Sequence, residues 1–286
     1  MTIELRQIDS QFAFEALGAP IWSQFDNETV RILDKTLSRH GVLIFRRQSV
    51  SEKELVNFSN LFGNAEKIVR ADWASADYAE VTRISNIRNA AGDPIGGLGS
   101  GELEWHTDQS YMTSPATGAI LYGVEVPLGG PDTMWANLAL AYDALPDAIR
   151  KTVDGRRGIF SYAKRVSAYD QETTPEEVRR NTPDVYHPLV NTHPETGKKA
   201  LYLDPATTAG IEGMPEDEGL SLLQELATHA ASPAFVYRHV WQPGDIIMWD
   251  NGFLLHRRDA FATNQNRLLK RTTIRLSEKR HILPGS

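Results

Sequence analysis

Residues 27–40, NETVRILDKTLSRH, place Val30, Leu33 and Leu37 at helical spacing among polar neighbours. The pattern predicts a helix on that segment, stopped by Gly41. The period then disappears in VLIFR (42–46), a short apolar run that reads as a buried strand. Ser51 and Glu54 form a capping-box pattern ahead of Leu55, Phe58, Leu61 and Phe62, with Gly63 as the expected end of a second helix. From residue 104 onward, short strand-like runs dominate: AILYGVEV, KKALYLD, AFVYRHVW, DIIMWD and LLKRTTIRL. Turn signals such as LGGPD, HPETG and QPGD separate them. Helical interruptions are expected at 146–154, 174–180 and 216–229, the last with Leu220, Leu223 and Leu226 on one side. Segments 66–104 and 155–185 are poorly periodic and rich in Gly, Asp and Arg, so they read as long loops of the kind that form lids.

Many short strands with peripheral helices predict a mainly β fold, a double-sheet jelly roll with a mouth for a ligand. No repeat or long linker divides residues 1–286, and one domain is expected.

Composition narrows the partners. A formal charge of −7 argues against a sequence-independent grip on nucleic acid, which needs a basic face. No apolar run approaches the length of a membrane span, and MTIELRQIDSQF lacks the pattern of a signal peptide. With no cysteine, a thiolate site or thiol nucleophile is excluded, and a cytoplasmic setting is the expectation. Any metal must therefore be held by His, Asp and Glu.

The stretch EWHTDQSY (104–111) holds the first candidate ligands. In an extended strand His106 and Asp108 project to one side and Thr107 to the other. By spacing alone the pair reads equally as a surface couple. His256, at the end of WDNGFLLH and followed by Arg257 and Arg258, follows a strand and a Gly-containing bend. His106, Asp108 and His256 together make a two-imidazole, one-carboxylate set, the arrangement favoured by non-haem Fe(II) oxygenases because it leaves adjacent metal positions open. The other histidines have blander readings. His40 and His229 sit at helix ends, His281 in the polar tail, His193 inside HPETG, His187 before Pro188, and His239 between Tyr237 and Trp241 on a strand. In NRLLKRTTIRL, Arg267, Leu269, Arg271 and Thr273 share one strand face. Turned inward, the two guanidinium groups would require anionic partners, and a small dicarboxylate would satisfy them bidentately. Turned outward, they would make an exposed basic edge strand.

The chain resembles the Fe(II)/2-oxoglutarate-dependent dioxygenases of the taurine and 2,4-dichlorophenoxyacetate dioxygenase group. The resemblance spans residues 28–278 through HGVLIFRRQ, NFSNLFG, WHTD, GGPDTMWANLALAYDALP, HPLVNTHPETGKKALY, FVYRHVWQPGDIIMWDNGFLLHR and RLLKRTTI, in order. It implies a double-stranded β-helix with His106, Asp108 and His256 as the iron ligands. It implies further that Thr133 and Arg267 bind the distal end of 2-oxoglutarate, and that Arg271 meets the co-substrate or an anionic primary substrate. Two departures stand out. The usual Gly-Gly-Asp-Thr reads Gly130-Pro131-Asp132-Thr133, and residues 66–104 match little beyond Ile84-Ser85-Asn86.

The expected activity is a non-haem oxygenase that uses Fe(II), 2-oxoglutarate and O2. It would couple formation of succinate and CO2 to hydroxylation, or desaturation, of a small anionic organic substrate. Asp108 points away from halogenation, because related halogenases carry a small residue there. Arg70, in the expected lid, is a candidate substrate contact with a solvated loop charge as the simpler reading. Glu102 and Glu104 are candidate amine contacts better explained by exposure. The competing classes are a non-catalytic metal- or ligand-binding jelly roll and a metal-dependent hydrolase or isomerase, neither of which needs Thr133 and Arg267. A homo-oligomer is a family-level expectation.

Overall fold

The computed structural model describes residues 3–8, 11–21, 24–67, 73–127, 129–169 and 182–284. Sheet dominates, with few helices. The larger sheet runs Glu4–Gln7, Ala13–Leu17, Val42–Phe45, Ile246–Asp250, Gly118–Glu125, Leu268–Leu276, Val81–Ser85, Gly97–Leu98, and Gly63–Ala65 also pairs with Leu268–Leu276. A four-stranded sheet runs Val236–His239, Thr133–Asn137, Leu254–Arg258, Leu103–His106.

The apolar runs follow from two-sided burial. In Ile246–Asp250, Ile247 and Trp249 join a core shared with Trp135, Tyr237 and Leu254 of the four-stranded sheet. Ile246 and Met248 face the other way, onto Leu33 and Leu37 of helix Asn27–His40 and Leu55 and Phe58 of helix Glu52–Ser59. VLIF and IIMW therefore have no polar face to show. The chain passes from one sheet to the other at Asn251-Gly252-Phe253, and this crossing stations Trp249 and His256 on facing strands. Gly252 is required there, since a Cβ would meet the Ile282 carbonyl oxygen at 2.1 Å.

Helix Asn27–His40 is capped by Asp26 and ended by left-handed Gly41 (φ 95°), and the Ser51/Glu54 capping box is formed. The second helix stops at Ser59, earlier than Gly63, which opens a strand instead. Helix Glu216–Ala230 buries Leu223 and Leu226 but leaves Leu220 40% exposed. Steps of three fall 60° short of a full turn, so Leu220 and Leu226 lie about 120° apart. The two segments expected as loops hold strands: Val81–Ser85, Gly97–Leu98 and Leu103–His106 in the first, Arg157–Phe160 in the second, which also carries helix Tyr162–Tyr169. Thr82 and Arg83 interrupt the apolar pattern of VTRIS, and its burial comes from pairing with Leu268–Leu276. The helix expected at 174–180 and Arg70 lie outside the described residues.

Candidate metal centre

The strand Leu268–Leu276 lies inside the larger sheet, between Gly118–Glu125 and Val81–Ser85. It is no edge strand, and its 267/269/271/273 face turns toward the four-stranded sheet. Arg267 is 2% exposed. Its backbone is fixed on both sides by the Ile84-Ser85-Asn86 stretch: Ser85 Oγ donates to the Arg267 carbonyl (2.9 Å), and the Arg267 N–H donates to Asn86 Oδ1 (2.9 Å).

Across the gap, Leu254–Arg258 pairs with both Thr133–Asn137 and Leu103–His106. His256 stands opposite His106 in register, and their ring centroids are 4.1 Å apart. The strand bearing His106 ends at that residue, so Asp108 sits one step into a turn rather than on the strand as expected. It still converges, because Thr107 Oγ1 donates to the Asn251 carbonyl (3.1 Å) and Gln109 takes a positive φ of 56°. One donor atom each from His106, Asp108 and His256 lies within 4.8 Å of the others.

Hydrogen bonding selects which atoms converge. His106 Nδ1 donates to the Glu104 carbonyl (2.6 Å), which leaves the Nε2 lone pair for a metal. Asp108 Oδ2 takes the Arg271 guanidinium (2.6 Å) and the Asn251 side-chain amide (3.2 Å), while Oδ1 faces His256 Nε2 at 3.8 Å, beyond hydrogen-bond reach. Burial opposes the Asp108 charge, yet Arg271, with His256 and His106, holds its carboxyl well below the usual carboxylate range. Burial, reinforced by His106, keeps the His256 imidazole well below its ordinary value and so neutral. The neutral His256 imidazole, the His106 imidazole and one ionised carboxylate, converging on one point, fit a borderline divalent ion such as Fe(II).

Thr133 is buried on the same inner face, and its Oγ1 accepts from the Trp241 indole N–H (2.9 Å). An indole only donates, so the Thr133 hydroxyl proton remains available to another acceptor. An inner cavity of about 40 Å³ is lined by Thr133, Trp249, His256, Arg258, Arg267 and Arg271. A wider one of about 190 Å³ adjoins it, with Lys67, Trp73, His106, Tyr111, Arg165 and Arg271 on its wall. Burial, with the neighbouring Arg258, depresses the Arg267 guanidinium to about 9. Arg258 itself is brought down to about 10 by burial.

The structure thus gathers His106, Asp108, His256, Thr133, Arg267 and Arg271 around one place between the sheets. Glu102 is turned outward onto Arg257 (2.9 Å), and Glu104 contributes its carbonyl rather than a carboxylate to the site. Sequence reasoning missed Asn251, Trp241 and Arg258. Asn251 was legible in WDN only as a bend residue, and Arg258 only as the second of two arginines.

Residues 4–273 match the family model described as Taurine catabolism dioxygenase TauD, TfdA family. The chain is 34% identical over 255 residues to the alpha-ketoglutarate-dependent 2,4-dichlorophenoxyacetate dioxygenase of Cupriavidus pinatubonensis, covering 85% of this chain and 88% of that one. It is 31% identical over 269 residues to pentalenolactone F synthase of Streptomyces avermitilis, covering 89% and 88%. Among crystal structures, AAD-2 in complex with Mn(II) and N-oxalylglycine superposes with a TM-score of 0.82 at 28% identity, over 98% of this chain and 100% of that one. A taurine dioxygenase from Burkholderia xenovorans gives a TM-score of 0.81 at 29% identity, over 99% and 94%. The chain belongs to the taurine catabolism dioxygenase TauD, TfdA family.

Proposed function

We propose that this Fe(II)- and 2-oxoglutarate-dependent dioxygenase hydroxylates a small organic anion held between its two sheets, in a single double-stranded β-helix domain. The observation that carries the reading is the convergence of His106, Asp108 and His256 beside a buried Arg267 that no carboxylate of the described residues pairs with. His106 Nε2, Asp108 Oδ1 and His256 Nε2 would hold the iron. Thr133, whose hydroxyl already accepts from Trp241, would donate to the distal carboxylate of 2-oxoglutarate alongside Arg267. When bound, iron and 2-oxoglutarate supply the oxidative decarboxylation to succinate and CO2 that drives oxidation of a C–H bond.

The chain's own part is orientation and shielding. Arg271 and Asn251 fix the rotamer of Asp108 so that Oδ1 faces His256. Ile84, Leu98, Leu121 and Trp249 wall the inner cavity with apolar surface and keep water from it. A hydroxylated or desaturated product would use the same residues.

The anionic substrate class is supported by the wider cavity, where Lys67 and Arg165 add positive charge beyond the Arg271–Asp108 pair near the metal corner. It agrees in kind with the relatives, among them an alpha-ketoglutarate-dependent sulfate ester dioxygenase from Pseudomonas putida, 26% identical over 283 residues. We place the enzyme in the cytoplasm on its composition, and a homo-oligomer belongs to the same proposal. A screen that follows succinate release over carboxylates, sulfonates, sulfate esters, amines and neutral compounds tests it. Acids should turn over best; efficient turnover of neutral compounds with none of acids would refute the anionic class.

A further inference from the structure

Arg258 sits at the end of the strand Leu254–Arg258, opposite Thr133 in register and 3% exposed. Its neighbour Arg257 also borders the inner cavity but is neutralised there, paired with Glu102 (2.9 Å) and Asp259 (2.6 Å). Arg258, one residue on, faces inward and meets no carboxylate among the described residues. Instead its guanidinium donates to two backbone carbonyls, Leu98 (3.1 Å) and Gly101. Its Nε and Nη1 are buried without a partner, as is Nε of Arg267. The two guanidinium groups share the ring of Phe261, at 5.3 and 6.0 Å from its centroid, and both line the inner cavity with Thr133.

Two cations held side by side out of water, with no anion between them, repel each other and are each poorly solvated. One anionic group entering the cavity relieves both at once, and it would meet donors left idle on each. Arg258 also grips residues 98–101, a stretch strained by the left-handed backbone of Leu98 (φ 65°) and tied to Phe261 through its N–H to the Ser100 carbonyl (3.1 Å). Leu98 borders both cavities.

We propose that Arg258 is a second positioning cation for the remote carboxylate of 2-oxoglutarate, and that it couples filling of that subsite to ordering of residues 98–101. This rests on the reading that 2-oxoglutarate occupies the inner cavity. No covalent step is involved; the role is electrostatic and geometric.

The test is calorimetric titration of the anaerobic Fe(II)-loaded protein with 2-oxoglutarate and with 2-oxopentanoate, which keeps the keto acid and lacks the remote carboxylate. For Arg258→Met, the affinity for 2-oxoglutarate should fall about tenfold or more while that for 2-oxopentanoate stays within about twofold, and Arg258→Lys should recover part of the loss. Equal losses for the two ligands would mean that Arg258 only staples the loop, and unchanged 2-oxoglutarate affinity would remove it from the subsite. A second measurement needs no variant: amide hydrogen exchange of residues 97–101 in the wild-type protein should slow with 2-oxoglutarate and not with 2-oxopentanoate. Equal slowing by both would overturn the coupling. If the wild-type protein bound neither ligand, the reading of the cavity itself would fall along with this inference.

Discussion

His256 and His281 are both buried beside aspartates, and their surroundings differ at every polar contact. His281 is fully buried with Nδ1 on Asp250 Oδ2 (2.6 Å) and Nε2 on Asp34 Oδ1 (2.7 Å). Arg280 adds a further contact to Asp34 (3.2 Å), and Asp250 Oδ1 accepts from the Gly252 N–H (2.8 Å). Although burial works against it, the two carboxylates raise His281 to about 9, so it is an imidazolium that pins the C-terminal segment to helix Asn27–His40 and strand Ile246–Asp250. At His256 the ratio is reversed: two imidazoles and Arg271 surround one carboxylate. His256 Nδ1 has no partner among the described residues, and Nε2 stands short of any hydrogen bond. The same residue types therefore make a closed clamp in one place and an open donor set in the other. Unspent lone pairs that converge, rather than burial or the presence of an aspartate, mark the site that can take a metal.

The contrast breaks most sharply if each histidine is removed in turn. His256→Ala should abolish Fe(II) binding and succinate formation, while the metal-free protein loses no more than about 2 kcal/mol of stability, because only packing is lost. Metal titration and denaturant unfolding on the same preparation check both halves. His281→Ala should do the reverse. It leaves Asp34 and Asp250 buried without their shared cation, at a cost of about 3–5 kcal/mol, with Fe(II) affinity of the folded protein unchanged.

The clamp also has a pH signature. The folded value of about 9 for His281 exceeds an unfolded value of about 6.5. Its stabilisation is thus complete below about pH 6.5 and is lost as pH rises through about 9, a span of about 3 kcal/mol. Unfolding free energies measured from pH 6 to 10 should decline in the wild-type protein and flatten in His281→Ala.

Arg267→Ala sharpens the open side. Binding of 2-oxoglutarate should weaken by about 2–5 kcal/mol, as for removing one partner of a desolvated pair, with little loss of stability because the metal-free protein offers that guanidinium no carboxylate. Titration of the Fe(II) form measures the first and thermal unfolding the second. The smallest effect is expected at Asn251→Ala, which removes one of the two groups on Asp108 Oδ2. Fe(II) affinity should fall about 10–100-fold, read by competition with a chelator, and an unchanged value would leave Arg271 as the sole determinant of that rotamer.

Much of this architecture was legible because local pattern and tertiary role coincide. VLIF and IIMW are uniformly apolar since both their faces are covered, and the alternation in NRLLKRTTIRL forced Arg267 and Arg271 onto one side whichever way the strand turned. His106 and His256, 150 residues apart in the chain, could be paired from residue type and context only as one candidate set, which the family resemblance then singled out. What escaped the sequence depends on distant partners. His281 reads as part of a polar tail until Asp34, at the other end of the chain, is seen against it. Val81–Ser85 reads as loop because its burial comes from a strand nearly 190 residues later. Arg257 and Arg258 are indistinguishable in HRRD; only the fold pairs one with Glu102 and Asp259 and buries the other against backbone carbonyls.

The most direct test of the central claim is the visible spectrum of the anaerobic protein as Fe(II) and then 2-oxoglutarate are added. If His106, Asp108 and His256 hold an ion with vacant positions beside Arg267, a charge-transfer band of the keto-acid chelate should grow to one equivalent of each and be missing in His256→Ala. Iron that binds with no such band, or a band that persists undiminished in that variant, would contradict it.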